Sequence, residues 1–134
     1  MVASAFIMKE ENTVSNNITP SENHSLYDTK WSLQKIQTTA GVEEVQTTAF
    51  IKFNEVKKSA GGNASCNTFG SSFTISNNQI SFKNIFSTKM YCEGVQQTED
   101  AFFRQLEKVN RFEIKDNSLL LFSDKDVLLE FTAE

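Results

Sequence analysis

The chain has 134 residues, 39% hydrophobic and 22% charged, with a formal net charge of −4, a length and composition typical of one globular domain with a buried core. Affinity for nucleic acid depends on clustered Lys and Arg, and since no basic cluster is larger than Lys57-Lys58, a nucleic-acid partner is excluded. No apolar run approaches the roughly 20 residues that a membrane-spanning helix needs.

Residues 1–29 are predicted to be a disordered tether, because Asn, Ser, Thr and Glu dominate from Lys9 onward and bury too little apolar surface to offset the cost of ordering. The apolar run from Val2 to Met8 contains Ala3-Ser4-Ala5, which resembles a signal-peptidase site but lacks a basic leader. His24 lies in this tether and is interpreted as a solvated tail residue rather than a metal ligand or general base. Most hydrolase mechanisms are therefore disfavoured.

The domain is predicted to occupy residues 30–134. Trp31-Ser32-Leu33-Gln34 alternates apolar and polar side chains, as a half-buried first strand does, and residues 47–53 repeat the pattern. The stretch between them, residues 38–46, reads as a loop. Its Glu43-Glu44 pair is interpreted as solvated, because adjacent side chains on an extended chain point apart.

Glycines and both cysteines concentrate in residues 60–73 and 87–94, which marks the most constrained part of the chain. Phe69, Phe73 and Ile75 keep a period of two and predict a strand. Asn77-Asn78 follows and predicts a two-residue hairpin turn, since Asn tolerates left-handed backbone angles. Residues 85–92 then continue the sheet or cross one end of it.

The next segment changes to helical spacing, and an amphipathic helix is predicted over residues 95–109. Glu99 and Asp100 lie early and Arg104 and Lys108 late, as the helix dipole prefers. Its apolar side chains form a core face rather than a ligand site. These residues are Val95, Phe102, Leu106 and Val109.

Three further short strands end the chain and form a meander. Short connections make neighbouring strands antiparallel, and one apolar face must close on itself and on the helix. The predicted fold class is α+β: a strongly curved antiparallel sheet, or partly open barrel, of six to eight short strands, with the helix packed on it or plugging one end.

Four sets of residues carry a resemblance to a known family. They are Trp31-x-Leu33, Cys66-Asn67-x-Phe69 with Gly70 beside it, Thr88-x-Met90-x-Cys92, and Glu99-x-x-Phe102-x-x-x-Leu106. Together they resemble the META domain family, of the HslJ-like type of heat-inducible envelope protein or lipoprotein, over residues 30–131. Three positions depart from its pattern: Ser65 replaces a glycine, Gly70 falls one position before the usual glycine, and Phe73 replaces a common tyrosine.

The resemblance implies a domain of the bacterial envelope, linked to heat and stress response, secretion and motility, without known catalysis. It implies a location in the cell envelope, or secretion, if an upstream signal was trimmed. Membrane attachment would then occur only through a lipid anchor outside this sequence.

Three interpretations of Cys66 and Cys92 stay open: a disulfide, two inert buried thiols, or a redox or metal-binding pair. A disulfide would contribute roughly 3–4 kcal/mol through loop entropy. Asn67 is expected to bond the backbone at a bend, Thr88 to make a turn bond and Met90 to fill the core. No catalytic residue, metal ligand or cofactor is assigned, since the domain lacks a histidine to complete such a site.

The function predicted from the sequence is that of a non-enzymatic protein-interaction or structural module, monomeric, with an unidentified protein partner. The alternative is a carrier that holds a small apolar ligand inside the curved sheet. A filled interior would favour the module, and a large internal cavity would favour the carrier.

Overall fold

The computed structural model describes residues 25–134, and the predictions for residues 1–24, including the signal-like run and His24, lie outside the described residues. Within them the chain forms nine strands and one helix. In order these are β1 Trp31–Thr38, β2 Gly41–Glu44, β3 Phe50–Asn54, β4 Ser59–Asn63, β5 Thr68–Ser76, β6 Gln79–Ser87, α1 Gln96–Leu106, β7 Arg111–Lys115, β8 Ser118–Ser123 and β9 Asp126–Ala133.

The strands form one antiparallel sheet that closes on itself. From β3 to β9 each strand pairs with the next, and β1 pairs with both β3 and β9. The seam between β6 and β7 is narrow, with a single register pair that joins Gln79 and Arg111. The predicted strongly curved antiparallel sheet with one helix is confirmed.

The strand count is nine rather than six to eight, partly because the predicted loop at residues 38–46 contains β2. β2 pairs with the second half of β1 through a two-residue turn between Thr38 and Gly41. All four residues of β2 are exposed, so the segment has no apolar alternation to identify it as a strand. The Asn77-Asn78 hairpin is confirmed: Ser76 pairs with Gln79, and Asn77 has a φ of 57°.

The helix packs on the inner face of the ring. The Phe102 ring lies 5.3 Å from the Phe69 ring of β5 and 6.3 Å from the Phe131 ring of β9, between centroids. The interior is filled by large side chains with essentially no exposed surface, each stabilising the fold by about 1.5–3 kcal/mol. They are Trp31, Leu33, Ile36, Ile51, Ile80, Phe102, Leu106, Leu119, Leu121, Leu129 and Phe131.

The residues just before β1 also pack on the domain. Leu26 is buried in the core, and its carbonyl oxygen accepts a hydrogen bond from the Trp31 indole at 3.1 Å. Packing on the domain therefore includes Leu26, which precedes the predicted boundary at residue 30. A single leucine among polar residues has no periodicity by which the sequence could identify it. Within residues 25–134, no helix combines the length and apolarity needed to cross a membrane.

Candidate functional site

The two cysteines join the connection between β4 and β5 to the entry of α1. Cys66 and Cys92 form a disulfide, and their Cα atoms are 5.8 Å apart, within the usual range for such a bond. Of the three interpretations drawn from the sequence, the structure supports the disulfide. The disulfide anchors Cys92, at the end of the loop that contains Thr88, Met90 and Tyr91, to Cys66.

A buried carboxylate lies beside this disulfide. Glu99, in the first turn of α1, is 3% exposed, and its Oε1 accepts hydrogen bonds from the backbone N–H groups of Cys66 at 3.1 Å and Asn67 at 2.7 Å. Its Oε2 accepts a third hydrogen bond from the Asn67 side-chain Nδ2 at 2.6 Å. Hydrogen bonds to a charged acceptor are among the stronger ones in proteins, so Glu99 ties the helix to the β4–β5 connection.

The Asn67 side chain extends this network to the loop before the helix. Its Oδ1 accepts from the Thr88 hydroxyl and from the Met90 backbone N–H, both at 2.7 Å. Its Nδ2 donates to the Met90 carbonyl oxygen at 3.0 Å as well as to Glu99. All four hydrogen-bonding positions of the amide are therefore occupied. The prediction that the Asn67 side chain bonds backbone is confirmed, although that backbone belongs to Met90, 23 residues away, and not to the bend at Asn67. The predicted turn bond of Thr88 is wrong, because its hydroxyl donates to the Asn67 side chain, 21 residues away.

The predicted role of Met90 as a core side chain is wrong. Asn67 binds Met90 through its backbone N–H and carbonyl groups, and the side chain remains in solvent with 58% of its surface exposed. The side chains of Tyr91 and Phe86 are also exposed, at 76% and 68%. The sequence spacing identifies Met90 as a member of the motif. It does not show whether the motif binds the backbone or the side chain of Met90.

The remaining motif residues have structural positions. Trp31, Phe69, Phe102 and Leu106 are buried in the core. Gly70 pairs with Phe86 across β5 and β6, and a Cβ atom on Gly70 would lie 2.6 Å from the Phe86 Cζ. A side chain at this glycine would therefore displace the Phe86 ring.

Residues 88–93 form what we call the 88–93 loop, which connects the end of β6 to α1. Lys89 and Glu93 flank Met90 and Tyr91, so an apolar centre lies between one positive and one negative charge. Among residues 25–134, no three His, Cys, Asp or Glu side chains come together as a metal-ligand set.

Two of the surface clefts formed by the described residues lie on the sheet, outside the Cys66–Asn67–Glu99 network. One, of about 430 Å³, includes Gly61, Gly70 and Phe86 in its lining. The other, of about 460 Å³, lies at the seam between β6 and β7, where the Asn110 amide donates to the Asp124 carboxylate at 3.1 Å. The Arg111 guanidinium in that cleft stacks over the Phe122 ring at 3.8 Å and pairs with Glu113. These polar groups therefore bond within β7 or between β7 and the β8–β9 hairpin, and the seam itself is joined by backbone bonds such as that from the Phe112 N–H to the Asn78 carbonyl oxygen at 2.9 Å.

One protein family and two solved structures match this chain over most of its length. The family model for the META domain matches residues 24–134. The chain is similar to an NMR structure of a protein from Burkholderia xenovorans, with a TM-score of 0.69 and 20% identity over 90% of this chain and 94% of that one. A second NMR structure is similar with a TM-score of 0.62 and 20% identity, over 87% and 95% of the two chains. No curated protein matches the sequence at a significant level. At this identity the two structures support the fold alone.

Proposed function

The chain belongs to the META domain family, and we propose that it acts as a non-enzymatic module, associated with the bacterial envelope or with stress response, that binds another protein. The family resemblance supplies the association with the envelope and with stress. The interior of the ring is filled by side chains, and for this reason we favour protein binding over transport of a small ligand.

The disulfide supports a location in the cell envelope or outside the cell. Disulfides persist in oxidising compartments and are rare in the cytosol of most organisms, and Cys66 and Cys92 are bonded in this fold. A lipid anchor upstream of the domain is part of this proposal.

The hydrogen-bonding of the motif supports a non-catalytic role. The Glu99 carboxylate and the Asn67 amide are both buried and bond to each other and to nearby backbone groups. A general base must be within reach of a substrate proton, whereas these groups are occupied in holding the loop and the helix. The motif therefore acts as a scaffold in this proposal.

The packing of the interior favours the protein-interaction module over the small-ligand carrier. A ring of about eight strands has an interior just wide enough for side chains to fill or for one small ligand. Here Trp31, Phe102 and Phe131 occupy it with no exposed surface. A ligand would have to displace these rings from the core.

Mass spectrometry under native conditions tests the proposal on protein isolated from its own host, with and without prior chemical cross-linking in the cells. We expect the isolated chain to carry no small molecule, and cross-linking to add one protein partner at fixed stoichiometry that rebinds when purified. A small apolar molecule bound one per chain, with no protein partner after cross-linking, would support the carrier instead.

A further inference from the structure

We propose that the protein partner binds at a surface formed by Phe86, Met90 and Tyr91, which we call the loop surface, and that it does so through an apolar groove of its own. The inference rests on the proposed function, since it names where a partner binds. In this proposal the motif Thr88-x-Met90-x-Cys92 holds the loop so that Met90 and Tyr91 face outward.

Exposed apolar area is the first observation. Three large apolar side chains are more than half exposed within six residues of sequence, at the end of β6 and in the 88–93 loop. Val56 and Val42, the other large exposed hydrophobic residues of the described chain, lie singly in the β3–β4 turn and in β2. Single exposed hydrophobic residues are ordinary, whereas three within six residues concentrate exposed apolar surface in one short segment, and such surface marks interaction sites.

The rigid attachment of this loop is the second observation. The disulfide fixes Cys92, the Asn67 amide binds both backbone groups of Met90, and the Thr88 N–H donates to the Thr68 carbonyl oxygen at 3.1 Å. A loop ordered before binding loses little conformational entropy when a partner docks, which raises affinity. The fold therefore holds Met90 and Tyr91 in water in a fixed arrangement.

The charges around the loop surface indicate the kind of partner. Exposed Lys89 and Glu93 flank Met90 and Tyr91 in sequence with one charge of each sign. Met and aromatic residues are enriched in protein–protein interfaces, whose rims are polar. Binding to an anionic membrane surface instead relies on an excess of Lys and Arg. The 88–93 loop has one charge of each sign and the whole chain has a net charge of −4, so a protein is favoured. Its groove would offer an acidic group to Lys89 and a basic group to Glu93.

Site-specific photo-cross-linking in the native cells tests this inference with the full chain. The photoreactive residue p-benzoylphenylalanine replaces Tyr91 in one variant and Val56, which is 93% exposed, in the matched control. We expect a discrete protein adduct from position 91 and none from position 56, because a photoreactive side chain reacts only with groups in contact with it. Met90→Ser should weaken the adduct at position 91 by about tenfold, the change that loss of 1.4 kcal/mol of binding gives, and Val56→Ser should leave it unchanged. Thermal unfolding of each serine variant verifies that the fold is retained.

The other outcomes separate the two proposals. A protein adduct that forms at position 56 but not at position 91, or one that Met90→Ser leaves unchanged, overturns the loop surface and leaves the interaction module in place. A lipid adduct at position 91 replaces the protein partner with a membrane, and an adduct twice the mass of the chain replaces it with a second copy. Absence of any adduct at both positions, together with no partner after general cross-linking, overturns both proposals.

Discussion

Glu99 illustrates how a buried charge can stabilise this fold at the level of one residue. Burial of a carboxylate is costly unless its oxygens are satisfied, and here three N–H donors from Cys66 and Asn67 satisfy them. Removing one partner of such a network leaves the others buried and unpaired, which costs more than the bond itself contributed.

Glu99→Gln is therefore expected to destabilise the protein by about 2 kcal/mol. The substitution keeps one acceptor oxygen but places an amide NH₂ against the Asn67 Nδ2, which is itself a donor 2.6 Å from the present Oε2. Urea unfolding monitored through Trp31 fluorescence measures the change. The matched control is Glu107→Gln, at an exposed position just after the same helix, which should change stability by less than about 0.5 kcal/mol. Equal effects of the two substitutions would contradict the role given to the carboxylate.

Ser65 occupies a backbone position at which the resemblance to the family predicts a glycine. Its φ is 102°, in the left-handed region that side chains disfavour, and its hydroxyl is 2.6 Å from the Thr47 hydroxyl. Ser65→Ala and Ser65→Gly both lose that hydrogen bond, but only alanine keeps the Cβ strain. We expect the glycine variant to be more stable than the alanine variant by about 1 kcal/mol. Differential scanning calorimetry compares them, and a more stable alanine variant would show that the backbone at residue 65 is not strained.

Sequence reasoning at the residue scale identified the members of the motif more reliably than their roles. Asn67 and Thr88 are predicted to make bonds near their own turns, as short polar side chains usually do, but they bond each other and Met90 across 21 and 23 residues of sequence. Glu99 looked like a residue that complements the helix dipole, and nothing in the spacing linked it to Cys66, 33 residues away. Met90 was misassigned because hydrophobicity predicts burial, whereas the fold holds this residue by its backbone.

At the scale of elements, the disulfide joins the β4–β5 connection to the start of α1 across a separation of 26 residues. In the loop-entropy model a closed loop of this length contributes about 3.5 kcal/mol. The element it secures is the 88–93 loop, which has no strand or helix pairing of its own.

Cys66→Ser combined with Cys92→Ser should lower the free energy of unfolding by about 3.5 kcal/mol. Wild-type protein unfolded in urea with excess dithiothreitol should show a similar loss, since the same cross-link is absent from its unfolded state. The variant itself should be insensitive to the reductant, which serves as the control. A loss below about 1 kcal/mol in both cases would mean that the bond constrains little of the unfolded chain.

Gly61 on β4 pairs with Gly70 on β5, and an added Cβ atom would meet backbone at the first glycine but a side chain at the second. A Cβ atom at Gly61 would lie 2.7 Å from the Phe69 carbonyl oxygen, whereas at Gly70 it would meet the end of the exposed Phe86 ring. A strand carbonyl cannot move aside, but an exposed ring can rotate. Gly61→Ala should therefore cost about 1–3 kcal/mol and Gly70→Ala less than about 1 kcal/mol. Thermal denaturation of the two variants tests this order, and the reverse order would contradict it.

The elements that sequence reasoning recovered were those with a strong local pattern. The helix over 95–109 is confirmed in its core, since α1 spans Gln96–Leu106 and buries Phe102 and Leu106. β2 escaped prediction because strand pairing alone defines it, with every side chain exposed.

For the whole molecule, the sequence predicts a curved sheet or partly open barrel but does not show which two strands close it. Short turns and half-apolar strands predict a curved antiparallel sheet, but closure depends on β1 pairing with β9, across more than a hundred residues of sequence between Trp31 and Ala133. The filled interior follows from the same closure, because six phenylalanines and the buried aliphatic residues pack into one core cluster. The position of a binding surface depends on which apolar residues the ring leaves outside, and that is visible only after closure.

The motif is a scaffold that holds the 88–93 loop in place and presents Met90 and Tyr91 to solvent, and amide hydrogen exchange of the folded protein, followed by NMR, tests this role. The Met90 N–H donates to the Asn67 Oδ1 at 2.7 Å, whereas the amides of its neighbours Lys89 and Tyr91 have no hydrogen-bond acceptor within residues 25–134. We expect the Met90 amide to exchange far more slowly than both neighbours, although its side chain is exposed. Exchange of all three amides at the same fast rate would show that the loop is not held, and would contradict the scaffold role of the motif.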